Sequence, residues 1–344
     1  MSFNEMNIDQ RRIFIDTLQL YESYINLLHK SRSYKGGMFW KKAKGREYLF
    51  KTYDRYGNGK SLGLRSAETE KILDDFQRNK KNIKERYLLI KERLKEQARF
   101  CKAAKIQRVP RIITGILRLL DQEKLLGRNV VVIGTNAIYA YEAAAGVFFE
   151  SHFMATRDMD ILWDIRPKLT LAVDNTMNQE GLIGLLRRSD KSFELSCTDS
   201  FRAINKEGFM VDLIKAEPRP IFKQEPTQMG NSYDLKAVEI KNLQWLLSSP
   251  KFSHIVIGDD GYPASIAVPD PRAFALHKLW ISKQDDREPI KKKRDFAQAV
   301  AVAKLIIQYL PQYSFDSAEL RMFPKDLLLS AQNAIIDSDV PVGL

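Results

Sequence analysis

Three acids in apolar surroundings are where this chain first offers chemistry. The segment "TRDMDILWD" sets Asp158 and Asp160 two residues apart beside apolar side chains. On a strand, positions i and i+2 share a face, so both carboxylates project together. Adjacent carboxylates repel, and in a partly buried place they are costly unless a cation neutralises them. Mg²⁺, a hard ion, characteristically takes one or two carboxylates plus substrate phosphates. A third candidate is Asp212 in "GFMVDLIKA", an acid embedded in a strand-like apolar run. Upstream, "VVVIGTNAIYAYEAAAG" (130–146) runs four β-branched residues into Gly134-Thr135 and then into an alanine-rich, helix-like stretch. Gly134 permits close backbone approach, and the start of the helix after it offers free N–H groups and a positive dipole end to a phosphate. The Thr135 hydroxyl and the Asn136 amide are further candidate donors.

Singly, each acid also reads as a strand-end residue or a cap, and many strand-to-helix junctions carry a glycine. The ordered set is more specific: Gly-Thr after a strand, Asp-x-Asp on the next, a single Asp on a later one. That order resembles the DNA polymerase β-like nucleotidyltransferase superfamily. More closely, "GTNAIYAYEAAAG" with "ATRDMDILWD" resembles a bacterial family known simply as nucleotidyltransferases, over roughly residues 110 to 310. The resemblance implies that Gly134 and Thr135 hold a nucleoside triphosphate while Asp158, Asp160 and Asp212 bind two metal ions, Mg²⁺ or Mn²⁺. Thr135 departs from the usual Gly or Ser, keeping a hydroxyl and adding a methyl. The 24 positions from Gly134 to Asp158 exceed the short gap of minimal members, which implies an insertion, "AAAGVFFESHFMATR", suited to forming part of an acceptor pocket. In related enzymes a helical domain after the core closes over the nucleotide, and "PDPRAFALHKLWISKQDDREPIKKKRDFAQAV" resembles it. Lys278 is the leading triphosphate contact, followed by Arg287, Lys293 and Arg294, with Asp295 holding one of these cations in place. The plain alternatives are a solvated helix face for the "KKKR" run and a packed helix residue for His277.

These residues need elements to carry them. After an amphipathic helix beginning at Ile112, residues 130 to about 217 alternate strand-like and helix-like patterns, and beyond 270 the text turns helical. Together with the resemblance this predicts an α+β fold with an α/β core: a mixed nucleotidyltransferase-type sheet with flanking helices. Three domains are expected: a basic N-terminal module (1–108), a catalytic core (109–268) and a C-terminal helical domain (269–344). Within the module, residues 8–31 place Phe14, Leu18, Tyr21, Ile25 and Leu28 at helical spacing. Next, Gly36-Gly37, Lys44-Gly45 and Gly57-Asn58-Gly59 punctuate two or three short antiparallel strands. Those strands interleave Trp40, Tyr48, Phe50, Tyr53 and Tyr56 with Lys41, Lys42, Lys44, Arg46, Lys51 and Arg55. Such a surface can stack bases and neutralise phosphates; it reads equally as a sheet packing its aromatics on neighbouring helices. From the N-cap Ser66, an apolar stripe from Ile72 to Cys101 near a 3.5-residue repeat predicts a long helix over 66–105, in a hairpin or a homodimeric coiled coil.

Charge sharpens the partner question. The net charge is +12, and residues 1–128 hold 30 Lys and Arg against 15 Asp and Glu, leaving 25 against 28 for the remainder. A basic module facing a polyanion follows from this asymmetry, although solvated charged helices would also produce it. Cys101 and Cys197 make no disulfide framework, and His29, His152, His254 and His277 lack zinc-ligand spacing. No secretory signal and no membrane span are read, so a cytoplasmic location is expected. The expected function is metal-dependent transfer of a nucleoside monophosphate to an acceptor hydroxyl, with RNA or tRNA the leading acceptor through residues 36–65 and the basic third. The alternatives are a protein hydroxyl, as in a toxin or regulatory system, a small molecule, or a non-catalytic RNA- or protein-binding module on the same scaffold.

Overall fold

The computed structural model of the protein describes residues 3–54, 56–154, 156–167, 175–218, 224–316 and 318–329. Arg55 of the basic stretch, Ala155 of the insertion and residues 330–344 lie outside them. The chain forms two compact units, Arg12–Ile106 and Met1–Arg11 with Gln107–Leu344. The boundary expected between 268 and 269 falls inside the larger unit, because the helices after it bury their apolar sides on the sheet.

In the smaller unit, α1 (Ile8–Ser33) is followed by a three-stranded antiparallel sheet: β1 (Met38–Ala43), β2 (Arg46–Thr52) and β3 (Gly59–Leu64). The β1–β2 turn is Lys44-Gly45, both at positive φ (48° and 73°), as a two-residue hairpin whose twist matches its strands requires. Phe39 stands opposite Phe50 on one face, with the Lys41 ammonium 5.0 Å from the Phe50 ring centroid, and Phe39 is 47% exposed. The other face buries Leu49 completely. Helix α2 (Ala67–Ala103) starts at a reciprocal capping box between Ser66 and Thr69. It runs antiparallel to α1: Gln97 donates to Thr17, and Tyr24 stacks on Tyr87 at 5.4 Å.

The larger unit comprises α3 (Arg111–Gln122), β4 (Val130–Ile133), α4 (Ile138–Ala145), β5 (Asp158–Trp163), α5 (Asn175–Ser189), β6 (Glu194–Leu195), β7 (Arg202–Ile204), β8 (Met210–Ala216), β9 (Val238–Ile240), a β10–β11 hairpin (Lys251–Ile257, Pro263–Pro269), α6 (Pro271–Ser282) and α7 (Pro289–Tyr309). The main sheet is mixed, in the order β4-β5-β8-β7-β6. Of the strands hydrogen-bonded to β8, β5 and β9 pair with it in parallel and β7 antiparallel; β7 pairs with its first half and β9 with its second. All four residues of β4 are buried, as a strand covered on both faces must be. One sheet face packs Val130, Val132, Ile161 and Leu213 with α3 and the hairpin. The other packs Val131, Ile133, Leu162 and Ile214 against Ala273, Leu276 and Leu279 of α6. The latter helix starts at Asp270, whose side chain accepts from Arg272 N, with Pro271 in the first turn where a missing N–H costs nothing. Among the described residues no helix is long and apolar enough to cross a membrane.

Candidate active site

Strand register brings the three acids together. Asp158 opens β5 and Asp160 follows two residues on; in the parallel β5–β8 ladder Asp160 pairs with Asp212. Period-two alternation then puts all three on the face shared with Leu162 and Ile214, toward α6. On that face Asp158 and Asp160 precede Leu162 along β5 and Asp212 precedes Ile214 along β8, which leaves the acids at the rim of the core.

The glycine turn meets the same point. In the antiparallel β4–β5 ladder Ile133 pairs with Asp160, so the chain leaves β4 at the carboxylate. Gly134 has φ +67°, and a Cβ there would stand 2.2 Å from Asp160 Oδ2. Both the conformation and the close approach exclude a side chain. Residues Gly134–Ala137 form a short 3₁₀ turn leading into α4, and among the described residues no side chain caps either start. Their first N–H groups therefore lack intrahelical partners. Thr135 and Asn136 are buried and engaged within the fold: Asn136 Nδ2 donates to the Asp158 carbonyl at 2.6 Å, and Gln298 Nε2 donates to Thr135 Oγ1 at 3.2 Å. Their side chains therefore fix the turn to β5 and to α7.

A cationic group stands opposite the acids. Lys278 of α6 donates to Asp295 of α7 at 2.7 Å, and Arg287 donates to the same carboxylate through Nε at 2.8 Å. Asp295 is fully buried and so holds both cations. Arg294 lies near enough for its charge to act on Lys278, and its Nε is buried without a hydrogen-bond partner among the described residues. Lys293 is exposed and forms no ion pair among the described residues; two positions from Asp295, it points roughly 200° away around the helix. His277 is buried, and desolvation with Lys278 beside it lowers its pKa to about 3, so it is neutral and packed.

Electrostatics single out Asp160. Burial, and then the charges of Asp158 and Asp212, push its pKa up to about 7, against the opposing pull of Lys278 and Arg287. Among the described residues no donor hydrogen-bonds its carboxylate, whereas Asp158 accepts from the Thr156 hydroxyl. Carboxylates paired in this way are the hard oxygen donors that a divalent cation takes. As placed, no three His, Cys, Asp or Glu side chains among the described residues form a group able to hold a metal ion. The third acid, Asp212, is paired within the fold: its two oxygens each accept from Arg202 at 2.7 Å.

Sequence reasoning misses Arg202 and Gln298. Arg202 has a local signal in "FRAINKEGFMVDL", two strand-like runs about an Asn205–Gly208 turn, but only the strand register sets it across from Asp212. Gln298 has one: it lies three residues after Asp295, on the same helix face, in an otherwise apolar "AQAVAVA" run.

A family model described as Nucleotidyltransferase matches residues 111–323. The chain is also similar to an antigenic nucleotidyltransferase-like protein from Paracoccidioides brasiliensis of known crystal structure. That likeness has 12% identity, 67% coverage of this chain, 88% of the other and a TM-score of 0.32. No curated protein matches the chain.

Proposed function

The chain belongs to the nucleotidyltransferase family, and from that premise we propose that it moves a nucleoside monophosphate from a nucleoside triphosphate to an acceptor hydroxyl, with pyrophosphate leaving. The observation that carries this reading is the meeting of Asp158, Asp160 and Asp212 on two parallel strands, against a glycine turn, with Lys278 and Arg287 opposite. Asp158 and Asp160, joined by Asp212, would hold Mg²⁺ or Mn²⁺. Bound there, the cation supplies charge neutralisation for the triphosphate and lowers the pKa of an attacking hydroxyl.

The chain's own residues do the rest. Gly134 lets the backbone pass the acids closely, and the uncapped amides of the following turn are donors for phosphate oxygens. Lys278 and Arg287, preset by Asp295, offer positive charge to the outgoing pyrophosphate without having to reorganise. Asp212 is the candidate acceptor of the hydroxyl proton.

RNA is the acceptor class we favour. Supporting it, residues 12–106 hold 24 Lys and Arg against 11 Asp and Glu, and one sheet face of that unit presents Phe39, Lys41 and Phe50. Rings interleaved with cations are what stacking on unpaired bases uses. The test is incubation with each α-labelled nucleoside triphosphate, total RNA and lysate protein in Mg²⁺ or Mn²⁺. Label in RNA is expected, and its loss in Asp160→Ala ties it to the site. Label in protein would move the acceptor to a protein hydroxyl, and full activity in Asp160→Ala would sink the assignment.

A further inference from the structure

The three acids are not equivalent. Asp160 receives no hydrogen bond among the described residues, and Asp158 receives one from a neutral hydroxyl. Asp212, 7% exposed, has both oxygens occupied by a guanidinium, with Nε on Oδ1 and Nη2 on Oδ2, each at 2.7 Å. The antiparallel β7–β8 register sets this up by placing Arg202 directly across from Asp212. A two-point Arg–carboxylate fork takes one lone pair on each oxygen, and its positive charge opposes a cation at the sites that remain. A cation reaching this face therefore finds two available carboxylates and a third that is covered.

Arg202 also has a second place to rest. Its Nη1 lies 3.6 Å from Asp199 Oδ2, a half-exposed carboxylate three residues earlier, and its guanidinium stands 5.4 Å from the Phe201 ring centroid. Both neighbours lie on the segment leading into β7. A guanidinium leaving Asp212 would keep a counter-charge and a ring to lie against, and an incoming cation would replace its charge beside the buried Asp212 carboxylate.

We propose that Arg202 is a positioning residue that withholds Asp212 from metal until the nucleotide-borne cation arrives, then shifts toward Asp199 and frees the third carboxylate. This rests on the nucleotidyl-transfer reading above. It makes the complete acid set a property of the nucleotide-bound enzyme, so the free enzyme holds metal through Asp158 and Asp160 alone.

The test is Mn²⁺ binding to the full chain without nucleotide, followed by paramagnetic resonance of the free ion. Arg202→Ala should bind Mn²⁺ at least ~10-fold more tightly than wild type, because it exposes Asp212. Asp212→Asn in the otherwise intact chain should bind Mn²⁺ within about twofold of wild type, because that carboxylate is already covered. If Arg202→Ala does not fold, the second variant decides alone. Unchanged or weaker binding in folded Arg202→Ala, or a ~10-fold loss in Asp212→Asn, would overturn the proposal. Asp160→Asn separates the two readings. If it too leaves Mn²⁺ binding unchanged, the metal reading of the site falls, whereas weakened binding in Asp160→Asn with no change in Arg202→Ala removes only the role of Arg202.

Discussion

Replacing Asp160 with Asn should stabilise the metal-free protein while abolishing transfer. The Asp160 carboxyl has an ordinary value of 3.8 and a value of about 7 in the fold. A folded value above the unfolded one means that the carboxyl's contribution is fully present below pH 3.8 and is lost as pH rises through about 7. At ~1.4 kcal/mol for each pH unit between the two values, holding the ionised group in place costs about 4 kcal/mol by pH 8. The asparagine side chain is neutral at every pH and nearly the same size, so it escapes that cost. For a unit of this size one kcal/mol moves the melting temperature by roughly 2–4 °C. In EDTA, Asp160→Asn should therefore melt about 10 °C above wild type at pH 8, with the gap shrinking to a degree or two at pH 4. Added Mg²⁺ should close it from the other side, raising wild type far more than the variant. The assay is thermal unfolding from pH 4 to 8, with and without Mg²⁺, beside transfer of α-labelled nucleotide. A variant that melts at or below wild type at pH 8 in EDTA would refute the idea that this carboxylate is held short of positive charge.

Three other outcomes are expected. Gly134→Ala combines a left-handed backbone with a Cβ 2.2 Å from Asp160 Oδ2; it should cost ~1–2 kcal/mol in thermal unfolding and about 100-fold in turnover, and wild-type turnover would remove the turn from the site. Asp295→Asn strips the shared counter-ion from Lys278 and Arg287 and should cost roughly 3–5 kcal/mol in urea unfolding at pH 7, with a change under ~1 kcal/mol counting against the paired geometry. Full-length protein should bind RNA with strong salt dependence, and replacing Lys41, Lys42 and Lys44 by Ala should lower the log–log salt slope by about one for each phosphate left without its lysine; binding indifferent to salt would argue against a phosphate-reading surface.

What is legible along the chain follows from what a strand pattern can encode. The acids are visible because period-two alternation puts Asp158 and Asp160 on one face whatever the neighbouring strands are. Gly134 is visible because an apolar run ending in Gly-Thr marks a turn. The three-stranded sheet of the basic unit also stands out, its turns marked by Lys44-Gly45 and Gly57-Asn58-Gly59. The β10–β11 hairpin escapes such reading: "KFSHIVI" and "PASIAVP" are nearly all apolar where buried, so neither shows clean alternation.

Counter-charges are the least legible part, for a physical reason. Lys278 and Asp295 lie on successive helices, and a paired basic and acidic residue between them is foreseeable as a class of interaction. Arg202 is not, because its tie to Asp212 depends on strand order: β7 sits outside β8, on the side away from β5, in register by a hairpin turn at Asn205–Gly208. A sequence can thus announce which carboxylates are present while leaving unsaid which of them are spoken for. Here that distinction separates Asp160, short of positive charge with its pKa pushed up to about 7, from Asp212, already forked by a guanidinium. Cation binding should therefore respond first to Asp160, and to Asp212 only after Arg202 has moved.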